Sequence, residues 1–191
     1  MGAMDALHVL GISGSLRKGS YNTALLRIAA GLAPEGMTVE IWDLAPIPLY
    51  NEDVRLAGEP EAVQQFKGAI AKADALLIAV TEYNYSVSGV LKNAIDWASR
   101  PPQTSPLNGK PVAMMGAGAS LGTARAQYHM RQVAVCVKML PLSYPELFVP
   151  QARDKFDAEG NLLDDTIRAR IRALLEALAS WTRQLRPHKG T

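Results

Sequence analysis

Five short apolar runs separated by stretches of helical period constrain this chain more than any other feature. The runs are LHVLGIS (7–13), MTVEIWDL (37–44), ALLIAV (75–80) and PVAMMG (111–116). A fifth lies within KMLPLSYPELFV (138–149), where two prolines blur its bounds. Helical spacing fills the intervals at about 21–33, 60–72, 88–98, 122–137 and 164–185. In the last of these, Ile167, Ile171, Leu174, Leu175, Leu178 and Leu185 share one face. The alternation implies right-handed crossovers and an α/β fold, with a five-stranded parallel sheet and helices on both faces. In such a fold, ligands sit at the carboxyl ends of the strands, near the switch in strand order.

The chain has 191 residues, enough for one domain spanning 1–191, with residues 1–6 and 187–191 expected to be flexible. No internal repeat or second-domain linker interrupts it, and the polar segment DKFDAEGNLLDD (154–165) reads as an exposed loop. Hydrophobic residues make up 48% and charged residues 20%, as in ordinary globular proteins. Net charge is +2, with basic residues scattered and aromatics at 6%, which gives no support to nucleic-acid binding. The one cysteine, Cys136, excludes an internal disulfide; lying in VAVCVKML, it reads as a buried, inert thiol. His8, His129 and His188 form no metal-spaced pair, so no metal site is expected. No run is long enough to span a membrane and no leader-like segment opens the chain. A cytoplasmic protein without membrane partners is the expectation.

Function begins at GSLRKGSYN (14–22), which joins the first strand to the first helix. Such a junction presents free backbone N–H groups and the positive end of a helix dipole, which suit an anion. Ser15, Ser20 and Thr23 add hydroxyls, Asn22 an amide and Arg17 a forked, permanent charge. Helix capping alone would explain Ser20. Gly14 and Gly19 have P-loop separation, but Ser20 follows where that motif needs lysine. The spacing of Gly11, Gly14 and Gly19 is wrong for a dinucleotide fingerprint, and the loop has no cysteine for phosphatase chemistry. A hydroxyl-rich loop with one arginine suits a terminal phosphomonoester, and so a mononucleotide such as FMN.

The fold tests this idea, because the loops after the third and fourth strands must then also bind. TEYNYSVSGVLKNAIDW (81–97) brings an acid, two tyrosines and an asparagine. AGASLGTARAQ (117–127) opens on small residues that let backbone approach a ligand edge. Packing of Tyr83 and Tyr85 against helices, and a tight turn at 116–120, are the plainer alternatives. Arg125 falls near the start of a helix, where a cation is unfavourable, so it needs an acid or a ligand as partner.

Four stretches together resemble the NADPH-dependent FMN reductase family and its flavodoxin-like fold: GSLRKGSYN, IPLYNEDV (47–54), EYNYSVSGVLKNAIDW (82–97) and GTARAQYHMRQ (122–132). The resemblance covers roughly residues 7–150 and is greatest to the bacterial quinone and chromate reductase branch. It implies that Ser15, Arg17, Ser20 and Asn22 hold the FMN phosphate, helped by the backbone of 16–23, which includes Leu16, Tyr21 and Thr23. Glu82, Tyr83, Asn84 and Tyr85 would meet the isoalloxazine and ribityl chain, and Gly116, Ala117 and Gly118 the flavin edge. Homodimers or homotetramers are implied, with Tyr50 and Asn51 reaching a neighbour's site, and Tyr50, Asn51 and Arg125 near the substrate. Thr81 and Ser88 stand where the family often has proline, which implies a looser flavin loop, and Gly118 stands where it often has serine.

The implied activity uses FMN held non-covalently and NADPH or NADH as donor. Hydride would pass to flavin N5, and two electrons then to small-molecule acceptors: quinones first, with chromate, azo dyes or ferric chelates in addition. The chemistry belongs to the cofactor, so no acid–base catalyst is named. The competing readings are a non-enzymatic flavodoxin-type electron carrier and a sensor of some other phosphate ligand. Carriers of that kind are acidic, unlike this chain. One shared ring face implies ping-pong kinetics. Parallel double-reciprocal plots are therefore expected when NADPH is varied at several acceptor concentrations, and intersecting lines would count against the shared face.

Overall fold

The structure is a computed structural model that describes residues 6–186. Residues 1–5 and 187–191 of the ends expected to be flexible lie outside it, as does His188. The chain runs β1 (Leu7–Ser13), α1 (Tyr21–Gly31), β2 (Met37–Trp42), α2 (Glu52–Ala57), α3 (Glu61–Lys72) and β3 (Ala75–Ala79). A hairpin of β4 (Glu82–Tyr83) and β5 (Ser86–Val87) precedes α4 (Gly89–Ala98). Then follow β6 (Pro111–Ala117), α5 (Ala124–Cys136), β7 (Leu140–Pro141), β8 (Leu147–Val149) and α6 (Asp165–Leu185).

The main sheet is parallel in the order β2-β1-β3-β6, and its last position is shared by β7 and β8. This is the flavodoxin-like order with its switch beside β1. The fifth strand is split because β7 pairs with Pro111 and Val112 while β8 pairs with Met115 to Ala117. The SYPE stretch between them makes no ladder, and Pro141 is tolerated because that position is an edge.

Alternation within the strands explains the two cores. In β3, Ala75, Leu77 and Ala79 face α1 and α6, whereas Leu76 and Ile78 face α3, α4 and α5. Both faces are covered, which is why these strands read as unbroken apolar runs. The α6 stripe of Ile167, Ile171, Leu174, Leu175 and Leu178 is buried as its spacing requires. None of the helices among the described residues is long and apolar enough to cross a membrane.

Three expectations need correction. Cys136 is exposed, because it closes α5: Ala134 takes the core position, and Val135 and Cys136 turn outward. The 154–165 segment is not a free loop. Phe156 and Leu162 pair across it and are buried, and Phe156 stacks on Tyr21 with centroids 5.1 Å apart. Helix α2 was not legible, since it has no buried residue and hence no core-facing period.

Ser88 also departs from expectation. It caps α4 by accepting from the Leu91 N–H, and its hydroxyl donates to the Gly14 carbonyl at 2.6 Å. The hydroxyl bonds β1's exit to the start of α4, a tie that proline could not make. Glycine at 14 eases this approach: a Cβ there would lie 3.0 Å from Ser88 Oγ and 3.1 Å from the Thr81 nitrogen, so these neighbours would have to give by a few tenths of an ångström. Ser88→Ala removes both the cap and the buried bond, and is expected to destabilise the protein by about 1–3 kcal/mol in urea denaturation. An unchanged midpoint would show that the tie carries no stability.

Candidate functional site at the carboxyl edge of the sheet

The site begins where β1 ends. Gly14 N–H donates to Ala79 O at 3.0 Å, so the loop leaves the sheet bonded to β3. Ser20 N-caps α1, accepting from Thr23 N–H, and Ser20 N–H donates back to Arg17 O at 3.0 Å. The loop is thereby closed on itself. Among the described residues, the amides of Leu16, Lys18, Gly19, Tyr21 and Asn22 have no hydrogen-bond partner. They cluster at the N-terminus of α1, where the helix dipole favours negative charge. The Ser15 side chain is half-buried and Arg17 is exposed, with its guanidinium 5.4 Å from the centroid of the Tyr21 ring. Hydroxyl, guanidinium and free amides in one loop form a donor set with the chemistry of a phosphate site.

The Asn22 side chain, expected to hold a phosphate, is engaged within the protein. It is 5% exposed; Nδ2 donates to Ala117 O at 3.1 Å and Oδ1 accepts from Ala117 N at 2.9 Å. The carboxamide is therefore a two-way tie between α1 and the end of β6. Thr23 is likewise engaged internally, its hydroxyl 2.9 Å from that of Ser13.

The second wall is the β4–β5 hairpin. Its two-residue turn holds Asn84 at φ 50° and Tyr85 at φ 65°, both in the left-handed region. A bulky residue there is strained, and such strain persists only where the surroundings hold it. Here they do: the Arg125 guanidinium lies 3.9 Å from the centroid of the Tyr85 ring and 3.5 Å from a Glu82 oxygen. The other Glu82 oxygen accepts from the Ala126 N–H at 3.1 Å. Glu82 thus caps α5 and supplies the acid that Arg125 needed. Tyr83 and Tyr85 are 56% and 66% exposed, so much of each side chain stays open even though the Tyr85 ring meets Arg125 of α5.

The third wall is the turn after β6. Glu82, Asn84, Tyr85, Arg125 and residues 118–122 line a cavity of about 320 Å³. The glycines here answer to the protein itself. A Cβ at Gly116 would lie 1.9 Å from Thr123 Oγ1, and one at Gly118 would lie 2.0 Å from Gly122 O. Serine in place of Gly118 would not fit this turn. The amides of Ala117 and Gly118 are bonded within the protein, to Asn22 and Val149 O. Among the described residues, the amides of Ala119, Ser120 and Leu121, just beyond the stretch singled out from sequence, have no partner. Thr81, also missed, is 6% exposed with a hydroxyl that finds no partner. It lies against Gly14, where the first two walls meet.

Tyr50 and Asn51 are not brought to these walls. Tyr50 N–H donates to Asn93 Oδ1 at 2.7 Å and its ring meets Trp97 edge-on, while Asn51 caps α2. Arg55, then Tyr50, hold the Glu52 carboxyl down to about 2, so this segment keeps its charge pattern throughout the neutral range.

Comparison with known proteins finds relatives along nearly the whole chain. Residues 7–154 match the family model of NADPH-dependent FMN reductases. The chain is 57% identical over 183 residues to an NAD(P)H-dependent FMN reductase of Pseudomonas aeruginosa, covering 95% of this chain and 98% of that one. It is 42% identical over 192 residues to an NAD(P)H:quinone oxidoreductase of Solanum tuberosum, covering 97% and 98%. Among solved structures, the flavoenzyme NAD(P)H:(acceptor) oxidoreductase FerB of Paracoccus denitrificans superposes with a TM-score of 0.83 at 31% identity, over 94% of this chain and 98% of that one.

Asn22→Ala would leave the Ala117 amide and carbonyl without partners in a buried place. The ligand-free protein is expected to lose about 2–4 kcal/mol on urea denaturation, from two buried bonds and the groups they orphan. Unchanged stability with weakened ligand binding would return Asn22 to a phosphate role.

Proposed function

The chain belongs to the NADPH-dependent FMN reductase family, and from that premise we propose that it carries two electrons from NADPH or NADH, by way of non-covalently held FMN, to quinones. The observation that carries the site assignment is the donor set at 15–22: five unpartnered amides, the Ser15 hydroxyl and the Arg17 guanidinium at the mouth of α1. A phosphomonoester matches that set in charge and in hydrogen-bonding capacity. When bound, FMN supplies the two-electron redox chemistry that links oxidation of nicotinamide to reduction of the acceptor.

The protein's own part is positioning. Arg17, Ser15 and the amides of 16–22 bind the phosphate, with Ser20 holding the loop in shape. Asn84, Tyr83 and Tyr85 present open, planar surface for the ring system, and Glu82 with Arg125 keeps that turn fixed on α5. The amides of Ala119 to Leu121 offer donors to the carbonyl-bearing edge of the ring. Quinones are the acceptor class because several relatives bear that activity in their names, and because an exposed tyrosine rim suits flat, amphipathic molecules.

Assembly as a homodimer or homotetramer is part of the same proposal. The 49–56 segment is not among the residues lining the cavity at the hairpin and exposes Leu49 at 85% and Leu56 at 70%, apolar surface that a second subunit would cover.

The purified protein is expected to be yellow, and NADPH alone should bleach it without oxygen; a colourless protein that takes up no FMN would refute the reading. Arg17→Ala is expected to weaken FMN about ten- to a hundredfold, the worth of a charge-assisted pair. Riboflavin, lacking the phosphate, should bind weakly and equally to both forms. Equal losses for FMN and riboflavin would mean that Arg17 supports the loop instead.

A further inference from the structure

We propose that Lys110 is a modification site, whose amine takes an acyl group from a small acyl phosphate docked against Lys72 in the cavity at the amino edge of the sheet. The cavity measures about 320 Å³. It lies among residues 71–74 just before β3, residues 108–111 at the start of β6, and Thr182, Leu185 and Arg186 at the end of α6. The loops described above leave the opposite, carboxyl ends of the same strands, so this is a separate place on the molecule.

The state of the Lys110 amine is the first argument. The residue is half-buried and its Nζ donates to the Ala73 carbonyl. Lys67, Lys92 and Lys155 each rest on a carboxylate, which favours the ammonium. Lys18, Lys72 and Lys138 are exposed, where water does the same. Lys110 has neither support. It forms no ion pair among the described residues, and burial holds its ammonium below the usual lysine range in spite of attraction from Asp74. Lysines in that state are the nucleophilic ones. The Ala73 carbonyl engages one N–H and leaves the lone pair of the neutral amine free, so the nitrogen is held in place without losing its reactivity.

Charge in the rest of the cavity is the second, independent argument, and it selects the acyl donor. Lys72, Lys110 and Arg186 line it against a single carboxylate, Asp74. Both Asp74 oxygens are engaged, Oδ1 by Arg186 at 2.8 Å and Oδ2 by the His8 N–H at 2.8 Å. Lys72 forms no ion pair among the described residues. The excess of positive charge favours a ligand with a dianionic end, whereas a neutral acyl ester gains nothing from it. Ala71, Ala73, Pro111 and Leu185 supply apolar lining that suits a short acyl chain.

The step is a group transfer without electron exchange. Lys110 gives its ammonium proton to water, and the neutral amine attacks the acyl carbon. A C–N bond forms and the C–O bond to the phosphate breaks. The second amine proton passes to the departing group, which leaves as inorganic phosphate. The product amide keeps one N–H for the Ala73 carbonyl and loses the charge that burial disfavours.

The test treats the full chain, in excess FMN so that the phosphate loop is occupied, with acetyl phosphate and separately with the uncharged N-hydroxysuccinimidyl acetate. Peptide mass spectrometry follows each lysine. With acetyl phosphate, Lys110 should be acetylated ahead of Lys18, Lys67, Lys72, Lys92, Lys138 and Lys155. Lys72→Gln changes an exposed residue at the end of α3, so the fold should be kept. It should slow Lys110 about tenfold with acetyl phosphate, the worth of one charge-assisted phosphate contact, and leave its rate with the neutral ester unchanged. Added inorganic phosphate should protect Lys110 from acetyl phosphate and not the exposed Lys92. A Lys110 rate no greater than that of the exposed lysines would overturn the proposal. So would a Lys72→Gln variant that loses nothing with acetyl phosphate, or that slows equally with both reagents, because no phosphate would then be recognised in the cavity.

Discussion

The Asn22 carboxamide bonds both the amide and the carbonyl of Ala117, and through that pair α1 and β6 hold each other at the carboxyl edge of the sheet. Loops that must leave donors free for a ligand cannot stabilise themselves by using those donors. Their stability has to come from contacts behind them. Asn22 to Ala117, Ser88 to Gly14 and Glu82 to Ala126 are three such contacts, each from a side chain to the backbone of another element. A side chain bonded to remote backbone fixes loop position without consuming the amides that face outward. The free amides of Leu16, Lys18, Gly19, Tyr21 and Asn22, and those of 119–121, can therefore coexist with a well-held edge.

The same arrangement explains the strain in the β4–β5 turn. Two consecutive non-glycine residues in the left-handed region are costly, and Tyr85 more so than Asn84. The Arg125 guanidinium over the Tyr85 ring, itself anchored by Glu82, offsets that cost. It leaves the outer faces of Tyr83 and Tyr85 open. The hairpin is thus rigid where it touches α5 and accessible where it faces the cavity, which is what positioning a flat cofactor demands. Thr81, buried at the root of this hairpin, has a hydroxyl with no hydrogen-bond partner among the described residues.

Glycines in the site divide by cause. Gly14 eases the Ser88 tie, and Gly116 and Gly118 are needed for the turn into α5, since a Cβ at either would strike Thr123 or the Gly122 carbonyl. From sequence they looked like allowances for a ligand. The structure shows that they are allowances for the loop's own closure. The residue that differs from the family's usual serine, Gly118, follows from the close approach of Gly122.

What the chain's letters determined is the layering. Apolar runs buried on both faces, helical stripes on one, and turn residues between them leave only a parallel sheet with helices on either side, and hence a ligand edge after β1, β3 and β6. The N-cap role of Ser20 and the need of Arg125 for a partner were legible too, because capping and dipole effects are local. Tertiary structure alone decided which polar groups were already spoken for. Asn22, Thr23 and the Ala117 and Gly118 amides carry ligand-like chemistry in sequence, but their partners lie up to 95 positions away or behind the loop. Local chemistry is written in neighbouring residues; hydrogen-bond occupancy depends on contacts between distant ones, and only packing establishes those.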